Sequence, residues 1–373
     1  MSHKDTSRLK DIIERNRPHL EQYQDLYREL HADPELSGQE ANSASKISRA
    51  LKEHQELEVI SNLGGHGVVG IFKNGEGPVV LLISELDALP LEERTSLPYA
   101  SKKHMTDTRG NIVPVLHGCG HDIHMASLLA AIDLVLRARS AWSGTLIALF
   151  QPAEETFQGA QAMLNDGLYS KIPRPSILLA QNTTKDKAGR VLISTGPVMA
   201  VCESYTIRVH GKTATAQAYI YASTQSSLAR THSFAYNRLV VRAECVASRL
   251  ERELDIERMR CAPPTVNDDC ATSILKESLL TVFGGDVRKM EPDTASEEFS
   301  MLARPYNIPY VYWNLGSTDP ETWDEAEGKG EVDGIPGNHS SEFRPVVEES
   351  LRRGMDAMAV ATLTFLGEGV GRV

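Results

Sequence analysis

The stretch LHGCGHDIHMASLL, from Leu116 to Leu129, places one cysteine and three histidines around a glycine-flanked turn, directly before an apolar run. Thiolate and imidazole are preferred ligands of zinc and its neighbours, and the glycines allow alternate side chains to converge. The segment therefore predicts a metal site, with Cys119 and His121 as the best-placed ligands. The alternative is a buried thiol beside a helix-capping aspartate, with histidines that only satisfy hydrogen bonds near a helix start. The three histidines are His117, His121 and His124.

A second informative segment, TLIALFQPAEE, runs from Thr145 to Glu155. Its apolar residues predict a strand, which the proline ends just before two adjacent carboxylates. In an open α/β sheet the ligand crevice lies beyond the carboxyl ends of the strands, so Glu154 and Glu155 would project there. One carboxylate could hold an ion while the other, uncoordinated, takes a proton from water. The alternative is an ordinary acidic surface turn, since the chain has 50 acidic residues.

Taken together with other motifs in the same order, these segments resemble the M20 metallopeptidase superfamily. The resemblance is to its amidohydrolase branch, which contains N-acyl-amino-acid, hippurate and indole-acetyl-amino-acid hydrolases. The motifs are LYRELHADPELSGQE (Leu26 to Glu40), ELDALPLEE (Glu85 to Glu93), HGCGHDIH (His117 to His124), FQPAEE (Phe150 to Glu155), GRVLISTGPVMA (Gly189 to Ala200), ASEEF (Ala295 to Phe299) and NHSSEF (Asn338 to Phe343).

The resemblance implies a hydrolase, an M20 metallo-amidohydrolase that cleaves an N-acyl amino acid or a related small amide with a metal-bound water. It implies a divalent metal ion, zinc or manganese, in one or two copies. Glu154 would be the general acid/base, and Asp87 would support the site. Without the motif order, His339 would be an exposed histidine of a loop rich in glycine and serine. The implied metal ligands are Cys119, His121, Glu155 and His339.

Three positions depart from the family pattern. Where the family has Gly-Gln-His, this chain has an asparagine, Asn182, whose amide oxygen is a poor replacement for imidazole on zinc but tolerable on manganese or magnesium. Where the family has Arg-Ala-Asp, Ile83 removes a cation and Glu85 lengthens the acid. These departures favour an alternative function: an M20-fold protein that has lost ordinary hydrolysis. It would then bind a small molecule or catalyse non-hydrolytic acid/base chemistry on a biosynthetic intermediate.

The largest departure lies in the lid domain, which the family uses for dimerisation. After SYTIRVHGK (Ser204 to Lys212), the stretch TATAQAYIYASTQSSLARTHSF matches nothing in the family, and resemblance resumes at Arg242 to Arg249. The sequence therefore predicts a truncated lid, which allows a homodimer through a non-standard lid. In the family, a histidine of the lid completes the partner's site. Neither His210 nor His232 lies in a glycine-rich turn, so we do not expect either to replace that histidine.

The predicted fold is α/β, with an M20-like catalytic domain whose mostly parallel sheet is covered by helices. A small, shortened α+β lid domain interrupts it. The predicted parts are residues 1–203 for the first part of the catalytic domain, 204–262 for the lid and 263–373 for the second part. Within them we predict a helix from Ser7 to Leu30 and an exposed loop from Gly316 to Gly337.

Composition fits a globular enzyme with a small-molecule partner: 373 residues, 41% hydrophobic and 24% charged. A net charge of −11 argues against nucleic acid and against anionic membranes as partners. The polar amino terminus lacks the apolar core of a secretory signal, so the predicted location is cytoplasmic. The five cysteines are odd in number and widely spaced, which favours a reducing compartment and leaves Cys119 available to a metal.

Overall fold

The computed structural model describes residues 3–209, 215–222 and 254–367. Within these ranges, eight strands form a mixed sheet that helices and smaller sheets flank. The strands are β1 (Glu58–Leu63), β2 (Gly67–Asn74), β3 (Val79–Glu85), β4 (His104–Thr106), β5 (Ile112–Pro114), β6 (Gly144–Gln151), β7 (Ile177–Lys187), β8 (Val191–Ile193), β9 (Gly196–Met199), β10 (Val201–Val209), β11 (Thr215–Ala222), β12 (Leu254–Ala262), β13 (Thr265–Asn267), β14 (Val287–Lys289) and β15 (Tyr310–Thr318). The α-helices are α1 (His3–Asn16), α2 (Glu21–Ala32), α3 (Ala41–Lys52), α4 (His121–Arg137), α5 (Gly159–Asn165), α6 (Leu168–Lys171), α7 (Asp269–Phe283), α8 (Ser300–Ala303), α9 (Pro320–Lys329) and α10 (Val347–Leu366).

The main sheet has the strand order β1-β2-β6-β3-β7-β15-β8-β14. Its centre is parallel: β6, β3, β7 and β15 pair in parallel register. Toward the edges, β1, β2 and β6 pair antiparallel, and β15 pairs antiparallel with β8. The predicted α/β class is thus confirmed, but the sheet is parallel mainly at its centre, because consecutive strands such as β1 and β2 join through a short turn.

The apolar runs of the central strands are buried on both faces, as expected for parallel strands between two helical layers. In β3, Val80 and Leu82 belong to one core cluster, and Leu81 and Ile83 belong to the other. Helices α4 and α10 cover the first face and contact each other along their length. Helix α4 is buried along nearly its whole length because it lies between the sheet and other helices. None of the helices within the described ranges is long and apolar enough to cross a membrane.

Two sequence predictions were wrong in detail. The helix predicted from Ser7 to Leu30 is divided into α1 and α2, because Pro18 between them lacks the N–H that a continuous helix requires. The loop predicted from Gly316 to Gly337 contains α9. This helix begins after Asp319, whose side chain accepts a hydrogen bond from the Thr322 backbone N–H, a normal N-cap.

The predicted lid contains a three-stranded antiparallel sheet in the order β11-β10-β12. Residues 210–214 and 223–253 lie outside the described residues, and so do His210 and His232. The truncation of the lid, dimerisation through it and the two predicted domain boundaries therefore stay predictions.

A buried histidine joins helix α2 to helix α4. His31 Nδ1 lies 2.7 Å from Asp122 Oδ2, and its Nε2 lies 3.1 Å from Glu93 Oε1. Burial opposes protonation of this ring, but its hydrogen bonds with Asp122 and Glu93 outweigh burial and raise the pKa of His31 to about 9. The imidazolium therefore lies between two carboxylates in the folded chain.

This arrangement predicts a pH-dependent stability. Because folding raises the pKa of His31 from 6.5 to about 9, its contribution is fully present below pH 6.5 and is lost as the pH rises through 9. The contribution is about 3 kcal/mol, from the size of the pKa shift. The free energy of unfolding would be measured with urea and chelator at about pH 6 and about pH 9.5. We expect it to decrease less between these pH values in His31→Gln than in the wild type. An equal loss in both proteins would contradict the prediction.

Candidate metal centre

The predicted site residues gather beyond the carboxyl ends of the central parallel strands. Glu85 is the last residue of β3 and Glu154 follows β6. Asn182 is the central residue of β7, two residues beyond the last residue of β7 that pairs with β3. Parallel strands end at one edge of the sheet, which is where ligand crevices form in α/β folds. The turn before α4 and the loop that contains His339 close the same region, since the backbone N–H of His339 donates to Gly118 O at 2.8 Å.

The turn that precedes α4 requires a glycine at position 120. Gly120 has φ 83°, in the left-handed region, and a Cβ there would lie 2.2 Å from Thr183 Oγ1. That same hydroxyl donates a hydrogen bond to Cys119 O at 3.1 Å. The glycine thus lets the turn approach β7 closely, which fixes Cys119 and His121 against the sheet.

Three predicted ligands converge in the structure. The donor atoms of Cys119, His121 and Glu155 all lie within 4.8 Å of one another. His339 Nε2 lies 3.6 Å from Glu155 Oε2, so the fourth predicted ligand borders the same group. The side chain of His339 is 57% exposed, in contrast to the other three, which places it on the solvent side of the centre. One sulfur, two imidazoles and one carboxylate form a donor set suited to zinc or a related divalent ion.

Asp87 orients two of these ligands at once. His121 Nδ1 lies 2.9 Å from Asp87 O and 3.4 Å from Asp87 Oδ1, which leaves Nε2 as the nitrogen that faces the centre. Asp87 Oδ2 accepts hydrogen bonds from the Glu155 backbone N–H at 2.9 Å and from Ser37 Oγ at 2.6 Å. Asp87 is therefore placed to support the ligands from behind, as the resemblance implies.

Glu154 lies beside the ligand group but outside it. Its Oε2 is 3.9 Å from His121 Nε2, and the residue is 5% exposed. Ala153, just before it, has φ 49°, and its N–H donates to Glu40 Oε1 at 2.8 Å, which holds the turn in this unusual conformation. The two adjacent glutamates thus point to different positions. Glu155 belongs to the donor group of Cys119 and His121, and Glu154 lies beside that group.

Several buried acidic groups at the centre have raised pKa values. Burial and the charges of Glu297 and Glu155 raise the pKa of Glu154 well above its usual range, and burial raises the pKa of Glu155 to about 8. Burial and the charge of Glu85 raise the pKa of Glu297 to about 7, while its hydrogen bond with Glu154 opposes the rise. Burial and the charge of Glu155 raise the pKa of Cys119 to about 11. A divalent cation would stabilise the ionised forms of all four groups, so the residues fit such an ion.

The other two histidines of the turn are not placed as ligands. His117 is buried, its nitrogens have no hydrogen-bond partner among the described residues, and burial lowers its pKa to about 4. His124 Nδ1 lies 2.8 Å from Glu85 Oε2, and its Nε2 accepts the Thr183 backbone N–H at 2.8 Å. His124 does form a second donor group with Glu85 and His121, but both of its nitrogens are already engaged.

The structure also shows what the departures from the family pattern do. Ile83 is fully buried in the core, and Glu85 is paired with His124. Asn182 Oδ1 is buried and makes no hydrogen bond of good geometry within the described ranges. Near it lies Tyr312. Burial and the charge of Glu297 raise the pKa of Tyr312 well above its usual range, and a hydrogen-bonding contact with Asn182 opposes this rise.

Sequence reasoning missed several residues of this centre. Asn338 Nδ2 lies 2.9 Å from Thr183 O and 3.6 Å from Cys119 Sγ, so it ties the His339 loop to the thiol. Its position directly before His339 was the one available signal. Glu297 stands in a quoted motif without an assigned role. Tyr312 gave no signal, because its position depends on how β15 pairs with β7.

Comparison with known proteins places this geometry in context. Residues 81–359 match peptidase family M20/M25/M40. The chain is 36% identical over 192 residues to hippurate hydrolase of Campylobacter jejuni, covering 51% of this chain and 47% of the relative. It is 35% identical over 188 residues to N-acetylcysteine deacetylase of Bacillus subtilis, covering 50% and 47%. The chain thus spans about half the length of the curated relatives it matches.

A solved structure shares the fold over nearly the whole chain. It is the YXEP protein of Bacillus subtilis, described as a dinuclear metal binding peptidase from the M20 family. The TM-score is 0.69 at 24% identity, and the match covers 92% of this chain and 98% of that one. The family match over residues 81–359 shows that the chain belongs to peptidase family M20/M25/M40.

Proposed function

We propose that this chain is a metal-dependent amidohydrolase that cleaves the amide bond of an N-acyl amino acid or a related small amide. Cys119, His121, Glu155 and His339 hold the ion, and Glu154 is the general acid/base. The observation that supports this best is that the two adjacent glutamates occupy different positions relative to the donor group. Glu155 belongs to the donor group, whereas Glu154 lies 3.9 Å from His121 without belonging to it. Water activation needs one carboxylate of each kind.

Each residue then has a defined task. When bound, a divalent ion supplies Lewis-acid polarisation of the scissile carbonyl and favours ionisation of water. Glu154 takes the proton of the attacking water on its carboxylate and returns it to the leaving amine nitrogen. Asp87 holds His121 so that Nε2 faces the centre, and it fixes the backbone of Glu155. Low exposure of Glu154 excludes bulk water from its carboxylate.

The names of two relatives support this substrate class. The two that we compare carry names for hydrolysis of hippurate and of N-acetylcysteine, both of which are N-acylated amino acids. The centre lies beyond the carboxyl ends of the central strands, and His339 is on its exposed side. A small amide could therefore reach the centre from the side of the His339 loop.

The test is hydrolysis of a panel of N-acetyl and N-benzoyl amino acids by the purified chain, with metal content measured in parallel. We expect chelation to lower turnover by at least about 10²-fold and added zinc or manganese to restore it. Cys119→Ser should bind the ion more weakly and require more metal for activity. A metal-free protein whose activity ignores both the chelator and Cys119→Ser would contradict the proposal.

One observation favours the alternative of non-hydrolytic chemistry or ligand binding. Asn182, where the family has a histidine, leaves a buried oxygen without a protein partner in the described part of the chain. An enzyme of the alternative kind would form product in the presence of chelator and lose that activity in Glu154→Gln. A binder would retain affinity for its ligand in Glu154→Gln and hydrolyse no amide of the panel.

A further inference from the structure

The space beside Asn182 differs in chemistry from the rest of the centre. In the parallel pairing of β7 with β15, Asn182 lies opposite Asn314, and Ala180 lies opposite Tyr312. Ala180 and Tyr312 share one core cluster, whereas Gln181 bonds to Trp313 on the other face of the sheet. Because side chains alternate along a strand, Asn182 and Tyr312 project from the same face.

Both side chains carry buried polar atoms without a partner of good geometry. Neither Asn182 Oδ1 nor Tyr312 Oη makes a hydrogen bond of good geometry within the described ranges, although Tyr312 is only 1% exposed. Buried polar groups rarely stay unpaired, so such atoms point to something bound between or beside them. A water molecule beside the two side chains can donate a hydrogen bond to the amide oxygen and accept one from the hydroxyl.

These two groups are poor ligands for a second ion. The amide oxygen of Asn182 is neutral, and burial and the charge of Glu297 raise the pKa of Tyr312 well above its usual range, so its hydroxyl keeps its proton. The imidazole of His124 is no substitute. It faces Glu85 with one nitrogen and the Thr183 N–H with the other.

The acids nearby also have partners that do not require a second ion. Glu85 is paired with His124 at 2.8 Å. Asp87 Oδ2 accepts two hydrogen bonds, from Ser37 and from the Glu155 backbone. Of the two donor groups among the described residues, the one that contains His124 has both of that ring's nitrogens engaged. The group around Cys119 is therefore the one open to an ion, and a neutral pocket lies beside it.

Building on the proposed function, we propose that this chain binds one divalent ion, and that Asn182 and Tyr312 form a neutral hydrogen-bonding subsite where a second ion would otherwise lie. The two side chains lie within hydrogen-bonding reach of each other, so water in this subsite binds beside the pair rather than between its members. A single imidazole at position 182 would supply the missing ligand, so the second ion depends on that one residue.

The test is the ratio of ions to chains in the full-length protein, measured by elemental analysis after dialysis and by titration of the metal-free chain with manganese. We expect one ion per chain in the wild type and two in Asn182→His, or in Asn182→His combined with Tyr312→Phe if the ring needs room. Electron paramagnetic resonance should show an isolated manganese signal in the wild type and an exchange-coupled signal in the histidine variant. The matched control Asn182→Leu should keep one ion, and circular dichroism checks that each variant is folded.

The outcomes separate the two proposals. Two coupled ions in the wild type would overturn this inference and leave the proposed function intact. A wild type that binds none would overturn both. Folded histidine variants that all stay at one ion would also overturn the inference, because position 182 would then not mark the second site.

Discussion

Replacing Glu154 with glutamine is expected to lower kcat for amide hydrolysis by about 10³-fold while leaving the metal content unchanged. Glutamine has nearly the same shape but cannot accept a proton from water. The metal should stay because Glu154 is not part of the donor group of Cys119, His121 and Glu155. Stability should be equal or higher, since burial already disfavours a charge at this position. Steady-state kinetics, elemental analysis and thermal unfolding measure the three effects.

The matched control is the adjacent residue. Glu155→Gln removes a carboxylate from the donor group, so this variant is expected to lose both ion and turnover. If Glu154→Gln lost its metal while Glu155→Gln kept it, the two roles would have to be exchanged. If neither change lowered kcat, the catalytic assignment would be wrong.

A second large effect is expected at the first residue of α5. A Cβ added to Gly159 would lie 1.5 Å from Pro152 O and 2.6 Å from Pro152 C, which are backbone atoms that cannot rotate away. The same loop contains Glu154 and Glu155, and Gly159 N–H donates to Glu298 Oε1 at 2.9 Å. Gly159→Ala should therefore displace the loop and cost about 4 kcal/mol of unfolding free energy or more.

Gly328 in α9 provides the control for this change. Apart from its two neighbours and the backbone of its own helix, no described residue has an atom within 4 Å of a Cβ built there, and the residue is helical. Gly328→Ala should stabilise the chain by up to about 1 kcal/mol, because glycine is a poor helix former. Urea unfolding and soluble yield would be compared for both variants. Equal midpoints would show that the loop can relax around the added methyl group.

The central strands could be predicted from the sequence because burial on both faces leaves continuous apolar runs, as in β3 and β6. The residue at which a helix ends was harder to predict from the sequence. Pro18 divides α1 from α2, and the predicted helix ran through it. The helix α9 lies within the predicted loop, although its N-cap Asp319 and its first residue Pro320 are a normal helix start.

At the centre, the local turn identified Cys119 and His121, and the adjacent acids identified Glu154 and Glu155. His339 came from the order of motifs alone, because nothing local distinguishes a ligand from an exposed loop histidine. The position of Tyr312 could not be predicted, since it depends on which residue of β15 lies beside which residue of β7. The ligand assignments stay predictions until a metal is measured.

The placement of β15 between β7 and β8 bears on how the chain is made. A nascent chain that ends before Tyr310 already contains Cys119, His121 and Glu155, yet β7 lacks its neighbour and presents an open backbone edge. Such an edge can pair with other chains, so synthesis passes through a stage exposed to aggregation. The strand β15 and the last proposed ligand, His339, emerge from the ribosome in close succession. Pairing of β15 with β7 and the arrival of His339 at the candidate metal centre are therefore both late events.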